Sequence, residues 1–180
     1  EDNSVYFRDK KIWDCGEFYR KQQGAYPVIY ITFKDVKFDN WKDSLEAIRL
    51  VIRDEYMRHA DILSWDGLDV VEKDYLDRMQ KGTLSNVEYT RALLNLSRML
   101  EKYHNKKIVV LIDEYDTPIQ QGHSKGFYNE VITFMRNFMS GGLKDNPALA
   151  FGVLTGILRV SKENLFSGLN NLVVNSVLDE

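Results

Sequence analysis

Five apolar residues followed by two carboxylates stand just past the middle of the chain, as Ile108-Val109-Val110-Leu111-Ile112-Asp113-Glu114. An apolar run without polar alternation is typical of a strand that is buried in a parallel sheet. The lysines that precede the run and the carboxylates that follow it mark its two ends. The stretch therefore predicts a central strand.

Apolar runs on either side of this strand predict its neighbours in a sheet. Residues 28–33 follow Pro27 and are β-branched and aromatic on both faces, which predicts a buried parallel strand. Residues 148–155 form a similar run, and residues 172–178 are a candidate fourth strand. Amphipathic segments alternate with these runs, so the sequence predicts an α/β domain with helices flanking a parallel sheet.

Apolar residues at three- and four-residue spacing predict four helices between the strands. The first runs from Trp41 to Leu63, and the second covers residues 68–79 and ends at Gly82. The third begins at a capping box, Ser85-Asn86-Val87-Glu88, and continues to Tyr103. The fourth covers residues 127–138 and is expected to close at Gly141-Gly142.

Composition excludes several classes of protein. The chain has 180 residues and a mass of 21.0 kDa, with 44% hydrophobic and 28% charged residues, as expected for one globular domain. A net charge of −3 lends no support to nucleic-acid binding. No apolar run is long enough for a membrane helix, and the first residues do not resemble a signal peptide.

Cysteine and histidine usage points to a reducing, cytoplasmic location and away from a zinc site. The lone Cys15 has no partner for an internal disulfide, and three separated histidines show no metal-ligand spacing. The first residue is Glu1 and not Met, so we expect the chain to be processed or cut from a longer protein.

Asp113 and Glu114 are the strongest candidates for chemistry. Ligands of parallel sheets bind beyond the carboxyl ends of the strands, where a buried strand holds its last side chains rigidly. One carboxylate can orient Mg²⁺ while the next accepts a proton from an attacking water, as in the Walker B pattern of phosphohydrolases. The alternative is that an acidic pair merely ends a strand. Asp116 is a third acidic candidate, although capping of a turn or helix is the favoured role there.

A second group of candidate residues lies at the end of the next predicted strand, where Thr155 is followed four residues later by Arg159. In a P-loop enzyme the strand after Walker B carries a sensor residue for the γ-phosphate or the attacking water, and Thr155 stands in that place. Arg159 has the planar donor fork that suits a phosphate. A surface salt bridge is the alternative for Arg159.

Other catalytic motifs are absent from the sequence. A phosphate-binding loop has the form Gly-x-x-x-x-Gly-Lys-Ser/Thr between a strand and a helix, and the nearest grouping, residues 140–144, ends a helix. The sequence contains neither a Gly-x-Ser-x-Gly elbow nor a convincing Cys-His pair. The Glu-x-Lys that a nuclease would need after the acidic strand is also missing.

Three segments in order resemble a known family, the bacterial AAA-ATPase-like proteins. Residues 26–35 resemble its second-strand segment, residues 112–119 its Walker B stretch, and residues 155–171 its sensor segment. The resemblance implies a three-layer P-loop NTPase-like sheet in a cytoplasmic bacterial or archaeal protein that uses ATP and Mg²⁺. By this analogy Asp113 serves Mg²⁺, Glu114 polarises the water, and Thr155 and Arg159 sense the γ-phosphate.

Members of the family carry a Walker A segment, typically Arg-Arg-Phe-Gly-Lys-Ser/Thr, upstream of these motifs, and a nuclease-like domain commonly follows. We therefore expect residues 1–180 to be a partial domain, from strand 2 through the sensor segment, with the P-loop strand missing. The strand of residues 148–155 would then have an open apolar edge that pairs with another chain or lowers stability.

Two other functions remain open from the sequence. One is a degenerate ATPase fold that binds or regulates without catalysis, although such a scaffold has no need of Glu114. A nuclease that uses Asp113 and Glu114 directly is disfavoured because the Lys is missing. No residue of the sequence identifies a DNA or protein partner.

Overall fold

The computed structural model describes residues 3–144 and 146–157, together with residues 173 and 175. Three parallel strands lie in the order β1-β2-β3, with β1 at Val28–Thr32, β2 at Ile108–Asp113 and β3 at Leu149–Leu154. The apolar run at residues 108–112 is thus the central strand, as predicted. The α/β class, with a parallel sheet flanked by helices, is confirmed.

Eight α-helices lie within the described residues: α1 (Lys11–Asp14), α2 (Glu17–Arg20), α3 (Trp41–Arg58), α4 (Val70–Lys81), α5 (Asn86–Thr90), α6 (Ala92–His104), α7 (Thr117–Lys125) and α8 (Tyr128–Leu143). Short 3₁₀ turns cover Ser4–Tyr6 and Ala60–Ser64. The end of α4 is the predicted one, since Gly82 has the left-handed φ of +68° that closes a helix.

Helices α3, α6 and α8 pack against the sheet and enclose the core. Alternate strand residues such as Ile31, Val110 and Ile112 are at most 3% exposed. The residues between them point to the other face, where Tyr30 of β1 is 47% exposed and Phe151 of β3 is 64% exposed. The prediction that β1 is buried on both faces is therefore wrong for the described part of the chain.

Side chains from α3 occupy the outer edge of β1. The Tyr30 N–H donates to Oε1 of Glu55 at 2.8 Å, and the Val28 carbonyl accepts from Nη2 of Arg58 at 2.6 Å. Glu55 is only 6% exposed, and Arg58 also binds it through Nε at 2.8 Å. Two of the backbone groups that a further strand would need are thus already bonded.

Two of the predicted helices are interrupted by a turn that is tighter than an α-helix. The first ends at Arg58 and not at Leu63, because His59 leaves helical geometry and a 3₁₀ turn follows. The third is divided into α5 and α6 at Arg91, whose N–H donates to the Glu88 carbonyl three residues back. Tyr89 and Leu93, on either side of the break, are both buried.

The prediction that Gly141-Gly142 closes a helix is wrong, since α8 continues through both to Leu143. A Cβ at Gly142 would lie 2.3 Å from Cδ2 of Leu93 on α6. This glycine therefore permits close packing of two helices. It does not end one.

The candidate strand at residues 172–178 lies outside the described residues, apart from Val173 and Asn175, which the structure places outside any strand. In the part of the chain that the structure describes, no helix combines the length and apolar character needed to cross a membrane.

Candidate active site

The carboxyl ends of the three strands bring Thr32, Asp113 and Thr155 together. Thr32 ends β1 and is paired in register with Asp113, which ends β2, and Thr155 directly follows β3. The Thr32 hydroxyl donates to Oδ2 of Asp113 at 3.0 Å, and the Thr155 hydroxyl donates to Oδ1 at 2.6 Å. Each oxygen of the carboxylate therefore accepts a hydrogen bond from a threonine at the carboxyl end of a neighbouring strand.

These contacts favour the ionised form of Asp113. The hydrogen bond from Thr155, and after it the one from Thr32, lower the pKa of the Asp113 carboxyl below its usual value. The positive charge of Lys34 acts in the same direction, while partial burial opposes it. Asp113 is thus held as a carboxylate, the form that ligates a cation.

Backbone hydrogen bonds make this edge of the sheet rigid. The Asp113 carbonyl accepts from the Phe33 N–H at 3.0 Å, and the Ile112 carbonyl accepts from the Thr155 N–H at 2.9 Å. The Tyr115 N–H returns a bond to the Thr155 carbonyl at 3.2 Å. Pairing thus extends past the strand ends and holds Asp113 and Thr155 in fixed relative positions.

Glu114 lies at a sharp turn between β2 and α7. Its φ of +51° is in the left-handed region, which costs a residue other than glycine on the order of 1 kcal/mol. Its carbonyl accepts from the Thr117 N–H at 3.1 Å, and its Oε2 accepts from the Thr117 hydroxyl at 3.0 Å. The turn fixes the backbone next to Asp113, while the Glu114 side chain is hydrogen-bonded to the first residue of α7.

Asp116 stabilises the loops around the site. It is 1% exposed, and its Oδ2 accepts from Nε2 of Gln120 at 2.6 Å and from the Ile157 N–H at 3.1 Å. Asp116 precedes α7 but makes no side-chain capping hydrogen bond, so the expected capping role is wrong in detail. Its structural role is to tie α7 to the segment after β3.

Gly156 allows that segment to approach closely. A Cβ at this position would lie 2.5 Å from Oδ1 of Asp116 and 2.9 Å from Cε1 of Tyr115. Tyr115 is itself buried at 7% exposure, and its ring packs in the core. Because both groups are buried, a Cβ at position 156 would have to displace one of them, so the close approach favours glycine.

The oxygen donors at this edge suit a Mg²⁺ ion that arrives with a phosphate. Within residues 3–144 and 146–157, no group of three or more His, Cys, Asp or Glu side chains is placed to hold a metal ion. Mg²⁺ commonly binds one or two carboxylates and takes its other ligands from water and substrate phosphates. Asp113, ionised and oriented, with Glu114 beside it in the chain, fits that mode of binding.

The four residues predicted for the site have different outcomes. The structure brings Asp113 and Thr155 into contact, Glu114 directly follows Asp113 in the chain, and Arg159 lies outside the described residues. Sequence reasoning missed Thr32. The available signal was its position one residue before the end of a strand predicted to lie parallel to the strand of Asp113.

A family model described as AAA-ATPase-like, "Predicted AAA-ATPase", matches residues 1–166. Since this match covers most of the chain, the chain belongs to the AAA-ATPase-like family. The resemblance to this family, stated from the sequence, is thereby confirmed.

The chain is also similar to a curated protein of Azotobacter chroococcum mcd 1, an uncharacterized protein in the vnfD 5' region. The two are 39% identical over 79 residues, which cover 43% of this chain and 15% of the relative. The match therefore spans only a small part of the relative's length. No solved structure gave a significant match.

Proposed function

From the membership of this chain in a family of predicted AAA-ATPases, we propose that it carries the Walker B and sensor part of an ATP-hydrolysis site. In this proposal Asp113 serves Mg²⁺ and Glu114 is the general base. Thr155 and Arg159 are the residues that sense the γ-phosphate. ATP binding requires a phosphate-binding loop, which this sequence lacks, so the complete site belongs to a longer protein.

The observation that carries the proposal is the orientation of Asp113 at the carboxyl edge of the parallel sheet. Hydroxyl groups from β1 and from the end of β3 bind its two oxygens, at 3.0 Å and 2.6 Å. This edge is where open α/β sheets bind their ligands. A carboxylate fixed there, beside a second one, matches the requirements of phosphoryl transfer, in which positioning and electrostatics do most of the catalysis.

Each residue has a separate task in this scheme. When bound, Mg²⁺ would neutralise charge on the phosphate oxygens. Asp113 would hold the ion through oxygen lone pairs that the threonine hydroxyls leave open. Glu114 would accept the proton of the attacking water, with Thr117 restricting its side chain through the bond to Oε2. Arg159 would add positive charge at the phosphate.

The wider setting belongs to the same proposal. ATP is the expected ligand of the longer protein, its location is expected to be cytoplasmic, and a DNA or protein partner is left unassigned.

The test uses the full-length protein and measures Mg²⁺-dependent ATP turnover together with ATP affinity. We expect Asp113→Asn to lower turnover by roughly a hundredfold or more, because it removes the charge that holds the ion. Asp54→Asn, at an exposed position of α3, is the matched control and should keep wild-type turnover.

Wild-type turnover in the Asp113→Asn variant would contradict the proposal. A wild-type protein that binds Mg·ATP without hydrolysing it would instead support the alternative, a binding or regulatory module. A parent gene without a Gly-x-x-x-x-Gly-Lys-Ser/Thr loop, or the family's form of it, would also overturn the ATPase assignment.

A further inference from the structure

Thr32 makes a long-range contact in the site that no sequence motif identifies. Its hydroxyl donates to Oδ2 of Asp113, a residue 81 positions further along the chain. The same oxygen accepts from the Lys34 N–H at 3.4 Å. Because that N–H occupies one side of the oxygen, the hydroxyl hydrogen is directed towards the carboxylate.

The contact restricts a torsion that is otherwise loose. Rotation of an aspartate carboxylate about χ2 has broad, roughly two-fold preferences, so hydrogen bonds determine the plane of the group. Thr155 binds Oδ1 from one side and Thr32 binds Oδ2 from the other. With the Thr32 hydroxyl removed, the carboxylate would keep the Thr155 hydroxyl and the Glu114 N–H but would lose the one contact that holds Oδ2 from the β1 side.

We propose that Thr32 is a positioning residue of the site, whose hydroxyl sets the plane of the Asp113 carboxylate for a divalent cation. This inference rests on the proposed function, because it assigns Thr32 a task only if Asp113 serves a cation. It places part of the cation site on β1, the strand furthest from the sensor residue Thr155.

Three variants of the full-length protein separate positioning from a merely structural role. Thr32→Val keeps the β-branched shape that suits a strand and removes the hydroxyl, whereas Thr32→Ser keeps the hydroxyl. Thr133→Val is the matched control, because it removes a hydroxyl that binds the Asn129 carbonyl on the exposed side of α8. Urea unfolding establishes that each variant is folded.

The binding readout is the affinity for Mn²⁺ in the presence of ADP, followed by the electron paramagnetic resonance signal of free Mn²⁺. We expect Thr32→Val to weaken Mn²⁺ binding about tenfold, as is typical for loss of a hydrogen bond to a charged group. Thr32→Ser should restore it to within about twofold, and Thr133→Val should bind as the wild type. The Mg²⁺ concentration for half-maximal turnover should move in parallel.

Wild-type Mn²⁺ affinity in Thr32→Val, or a Thr32→Ser variant as weak as Thr32→Val, would overturn the positioning role. If Asp113→Asn abolishes turnover and Thr32→Val does not alter Mn²⁺ binding, the inference about Thr32 fails and the proposed function stands. If Asp113→Asn retains turnover, the proposed function itself fails, and the role of Thr32 fails with it.

Discussion

Close backbone approach at Gly156 keeps Thr155 within reach of Asp113. Thr155 donates to Asp113 at 2.6 Å, and the next residue lies against two buried groups, the carboxylate of Asp116 and the ring of Tyr115. Any added atom at position 156 must displace one of these groups. The geometry of the site thus depends on a residue without chemistry of its own.

We predict that Gly156→Ala destabilises the protein by about 1–3 kcal/mol, the usual cost of forcing extra volume into a well-packed region. The ideal Cβ would lie 2.5 Å from Oδ1 of Asp116, well inside van der Waals contact. Urea unfolding of the wild type and the variant measures the difference in free energy of unfolding.

Gly141→Ala is the matched control for this prediction. The nearest atom to a Cβ there is the Thr90 carbonyl oxygen at 4.0 Å, so the methyl group fits. Because Gly141 lies within α8, alanine should be neutral or should stabilise by up to about 1 kcal/mol. Equal stabilities of Gly156→Ala and the wild type would contradict the packing described at the site.

Sequence reasoning identified Asp113, Glu114 and Thr155 because each follows an apolar run whose end is visible locally. Thr32 escaped notice because a threonine at the end of a strand is ordinary, and its partner is 81 residues away. Only the register between β1 and β2, which pairs Thr32 with Asp113, shows that the two side chains meet.

At the scale of elements, the three described strands were predictable to within one or two residues, since their apolar runs have clear ends. The ends of the helices were less predictable. Gly82 and Gly142 look alike in sequence, yet Gly82 ends α4 with a positive φ, and Gly142 lies inside α8 against Leu93. The difference is a contact between distant residues, which local spacing does not encode.

The capping box of α5 makes stability depend on pH. The Ser85 N–H donates to Oε2 of Glu88 at 2.8 Å, and the Arg78 guanidinium binds the same carboxylate at 2.7 Å. Arg78 first, and then Ser85, lower the pKa of the Glu88 carboxyl from 4.5 to about 2. Its contribution to stability is therefore complete above the unfolded pKa of about 4.5 and is lost as the pH falls through about 2.

We predict that Glu88→Gln lowers the free energy of unfolding at pH 6 and that its difference from the wild type shrinks as the pH falls from about 4.5 towards 2. Urea unfolding at pH 6, 4 and 3 measures this difference. Glu46→Gln is the control, because it breaks a helical ion pair with Arg49 and has no capping role. A difference between Glu88→Gln and wild type that does not change with pH would contradict the assignment.

At the scale of the whole molecule, the two outer edges of the described sheet differ: α3 side chains bind backbone groups of β1, and no described strand pairs with the outer side of β3. Glu55 and Arg58 bind the outer backbone groups of β1. Within the described residues β3 has no strand on its outer side, and its Phe151 and Val153 are 64% and 37% exposed. Since unpaired apolar edges favour strand addition, we propose that association occurs through β3.

We predict that the 180-residue chain self-associates as its concentration rises, and that Phe151→Lys weakens this association by placing a charge beside the open edge. Size-exclusion chromatography with light scattering measures the mass. Val71→Lys adds the same charge at a 72% exposed position of α4 and should leave association unchanged. A wild-type chain that stays monomeric at all concentrations would contradict association through this edge.

Glu114→Gln in the full-length protein tests the central claim, that the acidic pair at the end of β2 hydrolyses ATP. The substitution keeps the shape of the side chain and removes its ability to accept a proton. We therefore expect turnover to fall by about 10²-fold or more while ATP affinity stays within about twofold of wild type. Glu130→Gln, at an exposed position of α8, should leave both unchanged. Retention of wild-type turnover by Glu114→Gln would contradict the account.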